Sequence, residues 1–149
     1  WPIARPWTRR SRPQECHHVK GLTLDVALLG VGVNGHIAFN EPDHADFADP
    51  RLVRLVDLDL ASRQQQVDEG LFSRIDEVPK QALTLTVPAL LNSRVWLVSV
   101  LGRAKGAAVR SMLTQPISEK LPATIVRKHP QAWIYLDRGA ASSLDGSTP

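Results

Sequence analysis

LTLDVALL, Leu22 to Leu29, runs straight into GVGVNGHIAFNEP, Gly30 to Pro42. The first string is a short, nearly continuous apolar run closed by glycine. That pattern predicts a strand buried on both faces, as in a parallel sheet. Asp25, its one charge, is expected near the entry of the strand. The second string is too rich in glycine and polar residues to continue the strand. It is read as a turn at the strand's carboxyl end, the edge of an open α/β sheet where ligands bind.

Two more apolar runs repeat the first. Val95 to Leu101 (VWLVSVL) is closed by Gly102, and Ala132 to Leu136 (AWIYL) follows Pro130. Between them, Ala104, Ala107, Ala108 and Met112 fall at helical spacing over Gly102 to Leu113. Leu60 to Phe72 is polar and compatible with a helix ending near Gly70. Val87 to Asn92 reads as a short helix with Pro88 in its first turn, and Pro122 to His129 as another, stopped by Pro130. Arg51 to Leu55 and Val78 to Thr86 have β-like stretches. Strand, glycine turn, helix, strand, glycine turn, helix, strand is the order of an α/β fold. The expectation is a partial Rossmann-like, mostly parallel sheet of three or four strands with flanking helices.

Composition narrows the class. The chain has 149 residues, 43% apolar and 22% charged, enough for one domain with its own core. No apolar run approaches the roughly 20 residues that cross a bilayer, so no membrane partner is expected. The formal charge of +3 comes from the start of the chain. Arg5, Arg9, Arg10, Arg12 and Lys20 lie there, and from Gly21 onward 13 Lys and Arg face 14 Asp and Glu. A near-neutral body argues against a nucleic-acid partner. Residues 1–20, with three prolines and no apolar period, are read as an irregular basic lead. The body is expected over residues 21–145 and a short tail over 146–149, with fraying from Gly139 onward. A single cysteine, Cys16, points to a reducing, cytoplasmic setting.

The chemistry concentrates after the first strand. Gly30, Gly32 and Gly35 permit close backbone approach to a ligand. Asn34, His36 and Glu41 follow within a few residues. A histidine flanked by an amide and a carboxylate can be oriented for general acid–base work. The same spacing also suits a structural histidine. Gly30, Gly32 and Gly35 echo a dinucleotide fingerprint, but no periodic helix opens after Gly35.

The full string G-V-G-V-N-G-H-I-A-F-N-E-P resembles the signature of glucosamine-6-phosphate deaminases. The related 6-phosphogluconolactonases share the Gly-His turn but usually continue differently where this chain has Phe39-Asn40-Glu41-Pro42. The resemblance continues through Ser62 to Phe72 (SRQQQVDEGLF), Val78-Pro79, Ala82 to Thr84, Leu101-Gly102 with Lys105, Leu121 to Ala123, and His129-Pro130, and so covers about Leu22 to Leu144. Members of this family convert glucosamine 6-phosphate to fructose 6-phosphate and ammonia by ring opening, isomerisation and loss of the amine.

The resemblance implies roles. His36 is the acid–base at the ring oxygen, Glu41 the carboxylate that polarises it, and Asn34 stands where relatives have Asp or Asn. Lys105 is the phosphate-binding lysine, and Gly32 and Gly35 belong to the substrate turn. The family's phosphate-binding arginine precedes the aromatic at Phe72. Glu69-Gly70-Leu71 replaces it here, leaving Arg63 or Arg74 as substitutes. Arg51 and Arg54 are read as a solvated strand edge. No metal and no cofactor are implied, and the partner is a small sugar phosphate. Association into a homo-oligomer is open to such a chain. The family's N-terminal half, with its phosphate loop and its C2 proton-abstracting aspartate, has no counterpart before Gly30. A truncated or degenerate member with little stand-alone fructose 6-phosphate production is therefore expected. The alternatives are a 6-phosphogluconolactonase-like hydrolase and a non-catalytic sugar-phosphate binder.

Overall fold

The computed structural model describes residues 23–144. The basic lead over residues 1–20 and the tail over 146–149 lie outside them, as does Leu22. Three parallel strands form the main sheet in the order β1 (Val26–Leu29), β4 (Val95–Val100), β5 (Ala132–Leu136). The register pairs Ala27 with Trp96 and Trp96 with Ala132. All three expected runs are thus neighbours, and β1 is an edge strand of this sheet. β2 (Val53–Asp57) and β3 (Gln81–Leu85) form a separate antiparallel ribbon. The apolar runs thus supply the sheet, and the more polar pair supplies an outlying ribbon.

Three α-helices link these strands: α1 (Leu60–Asp68), α2 (Val87–Leu91) and α3 (Gly106–Thr114). Asp59 caps α1 by accepting from the Ser62 amide at 2.6 Å. Thr86 caps α2 in the same way through the Ala89 amide. A 3₁₀ turn over Arg103–Lys105 precedes α3, so the helix starts later than its apolar spacing suggests. Pro122–Lys128 is a 3₁₀ segment rather than an α-helix. Asp25 precedes β1 and pairs with Arg94 at 3.4 Å, at the entry of the sheet as expected.

The core lies on one side of the sheet. Ala27, Trp96, Val98 and Val100 pack with Val109 and Met112 of α3 and with Ile125 and Val126. Trp96 is fully buried, donates through Nε1 to the Leu90 carbonyl at 2.9 Å and stacks on His129 at 4.7 Å. The opposite face is a correction to the sequence reading. Val26 and Leu28 on β1 and Trp133 and Tyr135 on β5 are exposed, Leu28 at 78%. A continuous apolar run reports a demand for cover on both faces. Among the described residues, the packed helices meet that demand on one face only.

The chain end is a second correction. Residues after Gly139 do not fray at once, because Ala140–Ser143 forms a 3₁₀ turn against α3 with Ala140 fully buried. Asp137 holds that turn, accepting from the Ala140 amide at 2.7 Å and from the Gly102 amide at 3.0 Å. Its carboxyl is held below the usual carboxylate range by these amides. No helix among the described residues is long and apolar enough to cross a membrane.

Candidate active site

The glycine turn folds back on itself at the carboxyl end of β1. The Gly32 amide donates to the His36 carbonyl at 3.0 Å and the Gly35 amide to the Gly32 carbonyl at 3.0 Å. Gly35 has φ 81, a backbone conformation that disfavours any side chain. Its carbonyl accepts from the Ala123 amide at 2.8 Å, which ties the turn to the Pro122–Lys128 segment. Gly32 is required for another reason. A Cβ there would lie 2.2 Å from Cε1 of His36. The close approach is thus between the turn's own backbone and the imidazole. Just beyond, Ala38 adopts φ 51, an uncommon conformation for a residue with a Cβ, and one that recurs at functional sites.

His36, Glu41 and Ser62 form a buried triangle. Nδ1 of His36 lies 3.3 Å from Oε2 of Glu41 and 3.1 Å from Oγ of Ser62. Ser62 donates to Oε1 of Glu41 at 2.5 Å. Asn34 donates to Oε2 of Glu41 at 2.6 Å and to Asp59 at 3.0 Å, while its own oxygen accepts from the His36 amide at 3.1 Å. Glu41 is 1% exposed. Burial alone would raise its carboxyl, but donation by His36, Ser62 and Asn34 outweighs this and holds it down at about 2. It is therefore an anion at neutral pH.

The tautomer of His36 follows from the donors. An ionised Glu41 only accepts, so the single proton of Ser62 Oγ goes to Glu41. Toward His36, Ser62 is then an acceptor. Nδ1 must carry the proton, and Nε2 is the nitrogen available to a ligand. His36 lines an open cleft of about 880 Å³, together with Phe39, Gln65, Glu69, Thr84 and Lys105. The cleft runs along β1, with β3 residues on its other wall.

Lys105 closes the far side. It is buried, stands just before α3 and lies 3.4 Å from Glu69. A cation at a helix N-terminus suits an anionic ligand. His36, Glu41, Asn34 and Lys105 are thus brought to one edge of the sheet. Arg63 is not. Its guanidinium bonds the carbonyls of Ile75 and Val78, and it is absent from the cleft lining. Arg74 pairs with Asp76 on the surface. Arg51 and Arg54 both bind the buried carboxylate of Asp49, at 2.9 and 3.3 Å, which makes them structural ties beyond a simple solvated edge.

Four residues of the site had no role assigned from the sequence: Asp59, Ser62, Gln65 and Glu69. All lie on or beside α1, which crosses the turn. Ser62 meets the triangle, Gln65 accepts from the Val33 amide at 3.3 Å, and Glu69 reaches Lys105. Asp59 three residues before Ser62 is a legible helix start, and positions 62, 65 and 69 share one helix face. Their polarity on a single stripe was the available signal.

The profile of the family described as glucosamine-6-phosphate isomerases/6-phosphogluconolactonase matches residues 10–135. Glucosamine-6-phosphate deaminase of Oenococcus oeni is 36% identical over 121 residues, covering 81% of this chain and 49% of the relative. The deaminase of Streptococcus equi subsp. zooepidemicus is 35% identical over 122 residues, covering 82% and 50%. Among solved structures, a monomeric glucosamine-6-phosphate deaminase superposes with a TM-score of 0.74 at 39% identity, covering 80% of this chain and 47% of that one. A 6-phosphogluconolactonase from Leishmania guyanensis superposes at 0.61 with 23% identity, covering 83% and 43%, which shows the shared fold. The chain spans about half the length of the curated relatives it matches.

Proposed function

The chain belongs to the glucosamine-6-phosphate isomerase/6-phosphogluconolactonase family, and we propose that it carries the ring-opening machinery of a glucosamine-6-phosphate deaminase site. The observation that supports this most is the buried Glu41 carboxylate against Nδ1 of His36, whose ring lines a cleft also lined by Lys105. In this reading the sugar's phosphate meets Lys105 and its ring oxygen meets Nε2 of His36. The protonated imidazole gives a proton to the ring oxygen as the bond from C1 to that oxygen breaks. The C1 hydroxyl becomes the aldehyde carbonyl and passes its own proton to water in the open cleft. Glu41 and Ser62 hold the ring plane, and the Glu41 anion faces the charge that the imidazole carries at that step.

The isomerisation that follows needs a base at C2. Among the residues lining the cleft, the ionisable side chains are His36, Glu69 and Lys105. Glu69 is engaged by Lys105, and Asp43 and Asp46 are exposed outside the cleft. Lack of a positioned base costs about 10²–10⁴-fold. Fructose 6-phosphate production by this chain alone is therefore expected to fall by about that factor below a site holding one. Ring opening is expected to survive.

Exchange spectroscopy by NMR separates the two steps. With glucosamine 6-phosphate, the chain should speed interconversion of the α and β anomers, and His36→Asn should remove that acceleration. A coupled assay for fructose 6-phosphate reports the later step. Hydrolysis of 6-phosphogluconolactone with no effect on anomer exchange would overturn this reading in favour of a hydrolase. Binding with neither activity would leave a sugar-phosphate binder.

A further inference from the structure

Glu69 occupies the cation that the proposed substrate needs. Lys105 is almost fully enclosed, with 11% of its side chain exposed, while the Glu69 side chain is 46% exposed at the cleft wall. Oε1 of Glu69 lies 3.4 Å from Nζ of Lys105 and accepts from Nε2 of Gln65 at 2.8 Å. Gln65 in turn accepts from the Val33 amide in the glycine turn. The carboxylate is thus held over the lysine by the same helix that reaches His36.

Its position runs against the local field. Glu69 is the residue after α1, where the helix carbonyls concentrate negative potential, and no basic residue occupies the last turn. A carboxylate there is disfavoured by the helix. Lys105 and Gln65 are the groups that offset this. Lys105 and Glu69 together therefore carry no net charge at this end of the cleft. An incoming phosphate must share Lys105 with a carboxylate or displace it.

We propose that Glu69 sets the anion affinity of the cleft by acting as an internal competitor for Lys105. This rests on the reading that Lys105 receives the substrate's phosphate. The half-exposed carboxylate turns away as the phosphate enters, and the cost of that exchange weakens binding. Oxygens that replace it must bring at least the negative charge they displace, so the site discriminates against uncharged sugars. Glu69 is then a specificity-determining residue that takes no part in proton transfer.

Titration with inorganic phosphate and with glucosamine 6-phosphate, followed calorimetrically, tests this on the parent chain, Glu69→Gln, Lys105→Met and the double variant. Partly exposed ion pairs are modest, so Glu69→Gln should tighten both ligands by about threefold to tenfold. Lys105→Met should weaken both, and Glu69→Gln should give no gain in the Lys105→Met background. Unchanged or weaker phosphate binding by Glu69→Gln, with Lys105→Met still weakening it, overturns the role of Glu69 alone. Lys105→Met binding phosphate as the parent does overturns the placement of the phosphate as well.

Discussion

Gly32→Ala should reduce the acceleration of glucosamine 6-phosphate anomer exchange by about 100-fold or more, with the fold retained. The added methyl would lie 2.2 Å from Cε1, 2.3 Å from Nδ1 and 2.6 Å from Nε2 of His36. Such separations do not occur between unbonded carbons and ring atoms, so something must move. Gly32 does not have a positive φ, so alanine is tolerated by its own backbone. The imidazole is the group that yields, since a side chain held by hydrogen bonds to Glu41 and Ser62 moves more readily than the backbone of the turn. A general acid displaced by about 1 Å loses about 100-fold. The ¹⁵N shifts of His36 should change in the same variant, while circular dichroism should not. Parent-like exchange rates would show that His36 does not act from this position.

How much of this was legible depends on range. Val95–Val100 and Ala132–Leu136 announced themselves because apolar runs closed by glycine or led by proline are local signals. The turn from Gly30 to Pro42 was legible for the same reason, since strand, glycines and polar trio are contiguous. The partners supplied by α1 were not. Ser62 meets Glu41 across 21 residues and Gln65 meets Val33 across 32, and nothing local states that a polar helix will cross that turn. Arg63 shows the converse. Its charge near the gap left by the family arginine suggested a substitute phosphate ligand, but the helix points it at the carbonyls of Ile75 and Val78. Ala38 carries no signal at all, because the left-handed conformation there is imposed by the closure of the turn around Ile37. The exposed face of Leu28 and Trp133 marks the same limit on the fold side. Hydropathy records what a strand is suited to bury, and its neighbours decide what covers it.

Acid should destabilise the chain steeply, and Glu41 should account for a separable part of the loss. Its carboxyl stands at about 2 in the folded chain against an ordinary value of 4.5. A depressed carboxyl contributes stability that is fully present above the unfolded value and lost as pH falls through the folded one. The window is therefore from about pH 4.5 down to about pH 2. Two and a half pH units correspond to about 3 kcal/mol for a group as buried as this one. Asp49, held low by hydrogen bonds from Arg51, contributes in the same direction, so the total fall exceeds the share of Glu41. Urea denaturation at pH 6 and pH 2.5 on the parent and on Glu41→Gln isolates that share. The variant should be less stable at pH 6, because three donors lose an anion. Between the two pH values it should lose about 2–3 kcal/mol less than the parent. Ser62→Ala should fall between them, since it removes one donor and leaves the anion. Parallel losses in all three would mean that the Glu41 carboxyl is not held below its ordinary value in the folded chain. A smaller loss in the parent than in Glu41→Gln would mean that Glu41 is protonated in the folded chain, and the proton assignment on His36 would fail with it, since it rests on a carboxylate that only accepts.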